Sequence, residues 1–335
     1  MPYQPRFTIT PRLLAQVEEI AALRERIDGA SVGLSWIPAL QKDTRTRNAH
    51  ASTAIEGNPL TLPQVRAIEE GRELDAADQR PQREVANYFA GLRYLEKHSG
   101  IKTVRHVQIC KLHRILADAV MDQGKAGQYR TIEVHVGNHV PPAPENIRPL
   151  MAELLDWWNG PAAELSPVLS SAILHYRFED IHPFADGNGR AGRALSLWEL
   201  YRRGFDTHHI FSVDEYYWDD RPAYYSALAA VERAGDDLTG WLEYSATGLK
   251  RTLEEACLRV QRIQAKGQSK ITLTVKQERL LALLRDHGEM SPREIWDELG
   301  LSRQGTMNVI NPLLDAGLIE KRGSKKSGRY ALTNS

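Results

Sequence analysis

The twelve residues 182–193, HPFADGNGRAGR, concentrate side chains that could bind a phosphate chain. The glycine-rich stretch Gly187–Gly189 can bring backbone N–H groups against an anion, and a helix that starts there adds positive partial charge. Arg190 and Arg193 are three residues apart, so they would share one helical face and could both bind phosphate oxygens. The spacing therefore predicts a polyphosphate site.

Two further side chains in this segment suggest chemistry as well as binding. Asp186 offers hard oxygen ligands of the kind that Mg²⁺ uses beside phosphates. His182 lies four residues earlier, and an imidazole can act as a general base near neutral pH. The segment thus predicts a bound polyphosphate with a base placed near a phosphorus atom.

The same glycines fit two common nucleotide-binding motifs and a plain turn less well. GNGRAG matches the dinucleotide pattern G-x-G-x-x-G, and Asp214 follows at a suitable spacing, but the preceding SSAILHYRFED is helical in pattern rather than a strand. A P-loop would need lysine and Ser/Thr where the chain has Arg193 and Ala194. A turn that only connects two helices would not need two arginines, an aspartate and three glycines together.

The elements around this segment are mainly helical in pattern. Apolar residues recur at spacings of three and four, and proline and Ser/Thr residues mark several helix starts. The predicted helices are 10–27, 83–98, 104–120, 147–158, 167–179, 192–203, 222–234 and 238–264. One stretch, 129–140 (YRTIEVHVGNHV), alternates apolar and polar residues and ends in two prolines, which predicts a short exposed β-hairpin.

The C-terminal part forms a separate unit in the sequence. A polar segment, 266–270, precedes three predicted helices and a strand–turn–strand, so residues 272–332 resemble a winged helix-turn-helix. From Ser269 onward there are 11 basic and 8 acidic residues. The basic residues of the wing, which could contact phosphates, are Lys321, Arg322, Lys325, Lys326 and Arg329.

The helix that would read DNA in such a module weakens that prediction. It contains Gly305 and Pro312, and a proline inside a helix costs about 3 kcal/mol. Among its first residues, Arg303 and Gln304 are the side chains suited to paired contacts with a base. DNA binding and docking of a protein target therefore both stay open for this module.

Length and composition limit the classes of protein that fit. The 335 residues suggest two or three domains, and 43 basic residues balance 43 acidic ones, which argues against a protein that coats nucleic acid. The two cysteines, Cys110 and Cys257, are too few for a disulfide framework or a cysteine-rich zinc site. No signal-peptide pattern and no long apolar stretch are present, so a cytoplasmic protein without membrane contact is expected.

The glycine-rich segment resembles the signature of the Fic family, H-P-F-x-[DE]-G-N-G-R-x-x-R, at all nine specified positions. Members are helical proteins that mostly transfer AMP from ATP to a hydroxyl side chain of a target protein, and the resemblance covers about 27–249. It implies that His182 is the general base and that Asp186 holds Mg²⁺. The residues that it implies for ATP and phosphate binding are Gly187, Asn188, Gly189, Arg190, Gly192 and Arg193.

A second segment resembles the inhibitory motif of this family, [ST]-x-x-x-E-[GN]. Residues 52–58 read STAIEGN and precede the signature, as in the class whose inhibitory helix is N-terminal. The resemblance implies that Glu56 pairs with Arg193 and occupies the place of the ATP γ-phosphate. A carboxylate there would neutralise the guanidinium and repel phosphate.

Two further regions are similar to parts of the family's nucleotide site. The predicted hairpin, 129–141, corresponds to a flap over the site, and the flap residues expected to line the nucleotide and target groove are Val136, Gly137, Asn138 and His139. Tyr224 and Tyr225 resemble a tyrosine pair that borders the adenine pocket. Some relatives have an asparagine shortly after that pair, where this chain has Val231-Glu232-Arg233.

The sequence thus predicts an all-α, mainly helical Fic fold with a small β-hairpin flap, followed by a small α+β winged-helix domain. The expected domains are an N-terminal helical region (1–100), a catalytic core (101–265) and the winged helix (270–335). The expected function is an adenylyltransferase inhibited by Glu56, with ATP, Mg²⁺ and a target protein as partners; a homodimer also occurs among relatives. Removal of AMP, transfer of another phosphate-containing group and a nucleotide-sensing DNA-binding regulator remain alternatives.

Overall fold

A computed structural model describes residues 2–29, 37–72, 74, 79–137, 139–206, 208–265, 273–323 and 328–333. The chain divides into two compact units, Met1–Ile27 with Gln41–Leu258 and Asp28–Leu40 with Arg259–Ser335. The polar segment 266–270 that the sequence singles out lies outside the described residues, as do Lys325 and Lys326 of the wing. Within the described residues, no helix combines the length and the apolar character needed to cross a bilayer.

The first unit is helical. The helices that lie wholly or mostly in it are α1 Pro11–Gly29, α2 Ile37–Ile55, α3 Leu62–Glu69, α4 Arg80–Lys97, α5 His106–Leu116, α6 Pro144–Asn159, α7 Pro167–Ile181, α8 Asn188–Arg202, α9 Asp214–Asp219, α10 Arg221–Arg233 and α11 Thr239–Ala265. All eight helices predicted from periodicity in this part are present, with ends shifted by a few residues. The helices α2, α3 and α9 were not predicted.

Helix α2 escapes a periodicity search because its buried face is not apolar. The side chains that it buries include Thr44, Thr46, Asn48, Ser52 and Thr53. A search for apolar residues at spacings of three and four misses such a face. Polar side chains buried in this way need partners, and the partners of Ser52 lie in the candidate site described below.

Helices α7 and α8 pack together in the centre of the first unit. Helix α7 starts at an N-cap, because the Ser166 hydroxyl accepts a hydrogen bond from the Val168 N–H and Pro167 occupies the first turn. Gly192 lets the helices approach closely, since an added Cβ would overlap the Glu179 carboxyl group and lie 3.3 Å from Phe178. This packing fixes the loop between the two helices.

A buried carboxylate anchors the second half of α8. Glu199 is fully buried, and it accepts hydrogen bonds from the Trp158 indole and from the Ser170 hydroxyl at 2.7 Å. Arg202 and Arg203 contact the same carboxylate at 3.2 and 3.3 Å. Its charge is therefore paired and hydrogen-bonded, which makes burial tolerable.

The predicted β-hairpin at 129–140 is wrong as a pair of strands. The described residues of this segment form only one isolated antiparallel bridge, between Val136 and His139. Ile132, Val136 and Val140 are 40%, 37% and 71% exposed, so the alternating apolar residues have no surface to pack against. An isolated alternating segment without such a surface does not extend its ladder.

The second unit contains α12 Val275–His287, α13 Pro292–Leu299 and α14 Arg303–Asp315, with β1 Glu289–Met290, β2 Ile319–Arg322 and β3 Arg329–Leu332. The sheet is antiparallel in the order β1-β3-β2. Capping boxes at Thr274 and Ser291 start α12 and α13. The three helices and the two longer strands are those predicted, whereas the two-residue β1 was not.

Pro312 does not end α14. The helix continues to Asp315, and Pro312 is exposed and only three residues from its C-terminal end. A proline at this position removes one helical hydrogen bond, the one that its N–H would have donated to the Asn308 carbonyl, and the last turn forms without it. The buried face of α14 contains Thr306, Val309, Ile310 and Leu313, so the opposite face is free of core contacts.

Candidate active site

The loop between α7 and α8 contains the first half of the segment 182–193 and turns sharply at both ends. His182 caps α7 in the left-handed conformation, with φ of 49°, and its N–H donates to the Phe178 carbonyl at 2.9 Å. Gly187 precedes α8 with φ of 77°, a conformation that glycine adopts without strain. The backbone N–H groups at the start of α8 therefore face this loop.

Asn188 maintains the shape of the loop. Its side-chain amide accepts a hydrogen bond from the Phe184 N–H at 2.9 Å and donates one to the Phe184 carbonyl at 2.8 Å. The side chain is 1% exposed. The side-chain amide of Asn188 thus holds the loop, and the predicted phosphate contact of Asn188 could be made by its backbone N–H.

His113 of α5 packs against the loop and forms a hydrogen bond to it. Its ring stacks on Phe184 with 3.6 Å between centroids. The Gly127 N–H donates to Nδ1 at 2.9 Å, so Nε2 carries the hydrogen and donates to the Asp186 carbonyl at 2.8 Å. Burial lowers the pKa of His113 to about 4, and the ring stays neutral.

Arg130 connects the loop to the flap. Its Nε donates to the His182 carbonyl at 2.8 Å, and its other nitrogens donate to the carbonyls of Ile132 and Pro142. Its own N–H donates to the Pro183 carbonyl at 2.9 Å. One buried guanidinium thus fixes the backbone of His182 relative to the segment that covers the site.

Arg193 is the most enclosed charge of the site, at 2% exposure. Its Nε donates to the Ser52 hydroxyl and one terminal nitrogen donates to the Ser52 carbonyl, both at 2.8 Å. The same nitrogen donates to Glu56 Oε1 at 2.8 Å. Asp214 lies 3.7 Å from Nε and is held by the Tyr88 hydroxyl at 3.1 Å. The Glu56–Arg193 pair expected from the sequence is therefore present.

The carboxylate of Glu56 lies on the N-terminus of α8. It follows α2 in a tight turn closed by hydrogen bonds from Gly57 to Ala54 and from Asn58 to Thr53. A Cβ added at Gly189 would overlap this carboxylate. An anion therefore already occupies the first turn of α8, where helix N–H groups and Arg193 favour negative charge.

Arg190 has partners different from those of Arg193. Its guanidinium lies 3.8 Å from Asp186 and 4.0 Å from Glu84 of α4, and it is 4% exposed. Nε and one terminal nitrogen are buried without a hydrogen bond. Such orphan donors are costly, and an anion that reached them would satisfy them.

A cavity of about 710 Å³ opens beside the loop. The residues lining it are Glu56, Val136, Gly137, His139, Tyr176, Glu179, Asp180, His182, Gly189, Arg193, Tyr224, Tyr225, Ser226, Leu228, Ala229, Glu232 and Arg233. The expected base, inhibitory carboxylate, flap and tyrosines thus meet at one cavity. Asn138 lies outside the described residues. The lining does not include Asp186, Gly187, Asn188, Arg190 or Gly192.

The flap and the tyrosine pair also line the cavity. His139 Nε2 is 3.0 Å from the Asp180 carbonyl, and its Nδ1 is 3.5 Å from Glu232. Tyr224 is buried, with its hydroxyl 3.1 Å from His175. Tyr225 is 40% exposed, so it is the member of the pair that can contact a ligand over a wider area.

His182 is neutral across the physiological range. Burial lowers its pKa to about 4, and the nearby backbone carbonyl of Glu179 acts in the opposite direction. Nδ1 is buried, so Nε2 is the ring nitrogen available on the cavity side. A neutral imidazole with a free nitrogen can accept a proton from a hydroxyl group.

Asp186 is the candidate metal ligand. Among the described residues no group of three or more His, Cys, Asp or Glu side chains could hold a metal ion. One partly exposed carboxylate beside a phosphate loop nevertheless fits Mg²⁺, which usually keeps several waters and uses one or two carboxylates with substrate phosphates.

Several residues that shape this site gave no signal in the sequence. His113, Arg130 and Asp214 act through hydrogen bonds and ion pairs to residues that lie 73, 52 and 21 positions away. Neither helical periodicity nor a local motif identifies such pairs. Ser52 belongs to the inhibitory motif, but its two hydrogen bonds to Arg193 depend on the packing of α2 against α8.

Two family models match the chain. The Fic/DOC family model matches residues 103–200, which include the loop and α8. The MarR family model matches residues 271–329 in the second unit.

Known proteins share both sequence and fold with the chain. A protein named protein adenylyltransferase Fic from Drosophila willistoni is 33% identical over 201 residues, and adenylyltransferase fic-1 from Caenorhabditis briggsae is 36% identical over 213. These matches cover 59% and 62% of this chain, which spans about 40% of the length of either relative. A Fic family protein from Desulfovibrio desulfuricans G20 is 30% identical with a TM-score of 0.66, and 99% of each chain is covered.

Proposed function

Because the chain belongs to the Fic family, we propose that it is a protein adenylyltransferase, which transfers AMP from ATP to a Ser, Thr or Tyr hydroxyl of a target protein or of itself. The observation that carries this proposal is the carboxylate of Glu56 bound to Arg193 at the start of α8, in the cavity that also contains neutral His182. An anion site and a free base are thus adjacent.

The start of α8 supports the binding of the ATP phosphates. Gly189 leaves room for an anion against the backbone, since the Glu56 carboxylate lies where its Cβ would be. Arg193 supplies a buried positive charge, and Arg190 supplies buried N–H groups that lack partners. Charge-assisted hydrogen bonds from such groups suit phosphate oxygens. The carboxylate of Glu56 stands in for one phosphate group.

His182 supports the chemical step. Nε2 takes the proton of the target hydroxyl while that oxygen forms a bond to the α-phosphorus of ATP, and the bond to pyrophosphate breaks. Burial lowers the pKa of His182 to about 4, so the ring is neutral at physiological pH and can accept a proton without first losing one. Arg193 and the N–H groups of α8 stabilise the charge that develops on the phosphates.

Asp186 is the residue that would hold Mg²⁺ beside the phosphates. Its backbone carbonyl is fixed by His113 at 2.8 Å, so its position relative to the loop is defined. Bound Mg²⁺ would neutralise part of the negative charge of the phosphates.

Glu56 makes the resting enzyme autoinhibited in this proposal. Its carboxylate occupies the helix terminus and one nitrogen of Arg193, and both would otherwise bind a phosphate group. The negative charges of Glu56 and of an ATP phosphate would repel each other there. ATP and Glu56 therefore compete for Arg193 and the N-terminus of α8. Movement of the turn that carries Glu56 would then precede productive binding of ATP.

The flap supports contact with the target protein. Val136 and Gly137 line the cavity, and Val136 is 37% exposed. An extended target segment could pair with the exposed backbone of this segment and bring its hydroxyl to His182.

The phosphate of ATP that becomes attached to protein can be identified by labelling, and this tests the proposal. The full chain is incubated with Mg²⁺ and a cell lysate, and with ATP labelled at either the α- or the γ-phosphate. Compared with lysate that lacks the chain, added protein-bound label from α-labelled ATP alone is the expected result, because AMP keeps the α-phosphorus and the other two leave as pyrophosphate. Added label from γ-labelled ATP, above that of the lysate itself, would indicate a kinase-like reaction and contradict the proposal.

A second candidate function, contact with DNA through the second unit, is favoured by the exposed face of α14. Gln304, Asn308 and Asn311 are exposed at spacings of four and three, which places three amides along one face beside Arg303. Arginine, asparagine and glutamine are the side chains that most often form paired contacts with bases in the major groove. The match to the MarR family covers this helix.

Binding of the full chain to a pool of random duplexes tests this candidate. We expect affinity that falls with salt and a selected sequence whose binding drops roughly 5- to 150-fold in Arg303→Ala. Arg285→Ala in α12 removes the same charge from another exposed position and serves as the control. Absence of binding by the wild type at low salt would contradict a DNA-binding role.

A further inference from the structure

Glu179 lies in the last turn of α7, three residues before His182. Its Oε2 atom is 3.9 Å from Nδ1 of His182. Its other oxygen, Oε1, is buried without a hydrogen bond, and Nδ1 of His182 is also buried without a well-formed one. Two buried polar groups with unmet hydrogen-bonding capacity therefore lie next to each other. Burial of polar groups without hydrogen bonds requires an explanation, and a role in the reaction is one such explanation.

Helix α8 leaves space for this carboxyl group. A Cβ at position 192 would overlap Glu179 Oε1, so only glycine admits the side chain there. Gly192 was expected to contribute to phosphate binding, but its contact in the structure is with Glu179. The carboxyl group is thus held between the backbone of α8 and the ring of His182.

The charges around both groups come from several elements. Glu179 faces Arg193 of α8, Glu56 of the inhibitory turn and Tyr224 of α10. Burial raises the pKa of Glu179 to about 8, Arg193 lowers it and Glu56 raises it. His182 also faces Arg130, Glu56 and His139. Glu179 is therefore mostly protonated at neutral pH and ionises just above it.

We propose that Glu179 is a positioning residue for His182: its ionised carboxylate accepts a hydrogen bond from Nδ1–H and so keeps Nε2 unprotonated toward the cavity. The present separation of 3.9 Å is longer than a hydrogen bond, and such contacts often shorten only in the substrate complex. An orienting carboxylate selects the tautomer of a catalytic histidine and stabilises the imidazolium.

The catalytic consequence rests on the proposed AMP transfer. When the target hydroxyl proton moves to Nε2, the oxygen–phosphorus bond forms and the bond to pyrophosphate breaks. The ring is then positively charged, and the carboxylate of Glu179 stabilises it. The proton leaves His182 for solvent after pyrophosphate departs, which restores the neutral ring without a net change in Glu179.

The first test does not depend on activity. The ¹⁵N signals of the His182 ring, assigned by their absence in His182→Ala, are followed from roughly pH 6 to 10 in the wild type and in Glu179→Gln. We expect the wild-type signals to shift toward the Nδ1–H tautomer with a midpoint near the pKa of Glu179, about 8. The Gln variant, which has the same shape without an ionisable group, is expected to show no such step. The same step in both chains would overturn the proposal.

The second test measures catalysis in the Glu56→Gly background. Loss of the Glu56 charge lowers the pKa of Glu179 below about 8, so kcat/KM is expected to rise with pH through that lower value. Glu179→Gln should lose this rise and at least about tenfold in kcat at alkaline pH, with little change in the KM for ATP. Glu179→Asp should retain a rise. If the pH profiles of kcat/KM with Glu179 and with Glu179→Gln superimpose, the proposal is overturned.

The two tests separate this inference from the proposed function. If Glu56→Gly transfers no AMP under any condition, the proposed function fails, and the ring signals still decide whether Glu179 sets the tautomer of His182. Thermal unfolding of Glu179→Gln, expected to match the wild type, excludes a general loss of structure as the cause of lower activity.

Discussion

Replacement of Glu56 by glycine is expected to raise transfer of α-labelled AMP roughly 5- to 150-fold, the range of a typical coupling free energy between two ligands of one site. The carboxylate accepts a hydrogen bond from Arg193 at 2.8 Å and lies against Gly189. Its removal frees the guanidinium and the helix terminus for phosphate. The measurement is the initial rate of label transfer with Mg²⁺, together with the affinity of ATP for the protein.

The chain offers a matched control for this change. Glu70 also precedes a glycine in the turn after a helix, and its carboxylate pairs with exposed Arg72. Glu70→Gly should leave the rate unchanged, which separates loss of inhibition from added flexibility. Glu56→Gln, which keeps the size but not the charge, should give an intermediate rate. Equal rates in wild type and Glu56→Gly would contradict autoinhibition, and loss of AMP from a labelled target in the wild type alone would favour a hydrolytic role for Glu56.

Replacement of His182 by alanine is expected to reduce transfer about 10²- to 10⁴-fold, the usual contribution of a general base. The effect should appear in kcat, because in the proposed reaction His182 contacts the target hydroxyl while the phosphates bind to α8 and its arginines. The KM for ATP should change little. Single-turnover rates in the Glu56→Gly background provide the most sensitive measurement, since the starting activity is highest there.

Two controls define what the loss means. His287→Ala removes an exposed histidine at the end of α12 and should have no effect on the rate. Thermal unfolding of His182→Ala should match the wild type to within a few degrees, because the His182 backbone keeps its hydrogen bonds to Phe178 and Arg130. Full activity in His182→Ala would exclude His182 as the base.

The sequence predicted the signature loop because its chemistry is local. Glycines, arginines, an aspartate and a histidine within twelve residues point to phosphate binding without knowledge of the fold. The contact of Glu56 with Arg193 joins residues 137 positions apart, and only the family resemblance predicted it. Arg130 and Asp214 were missed for the same reason, since their partners are set by tertiary packing.

The errors in the predicted elements have physical causes as well. Alternation at 129–140 suggested two strands, but its apolar residues are exposed and the segment is held by Arg130 instead. Helix α2 was missed because threonine, serine, asparagine and alanine form most of its buried face.

That composition of α2 has a thermodynamic consequence. Between Gln41 and Ile55 the buried side chains are small or polar, apart from Ile55 itself. On separation of this segment from the rest of the first unit, α2 itself would expose little large apolar surface, and apolar exposure is the source of the positive heat-capacity change in unfolding. The contribution of α2 to the heat-capacity change of that separation should therefore be small, and under the proposed autoinhibition the degree of inhibition should vary smoothly with temperature.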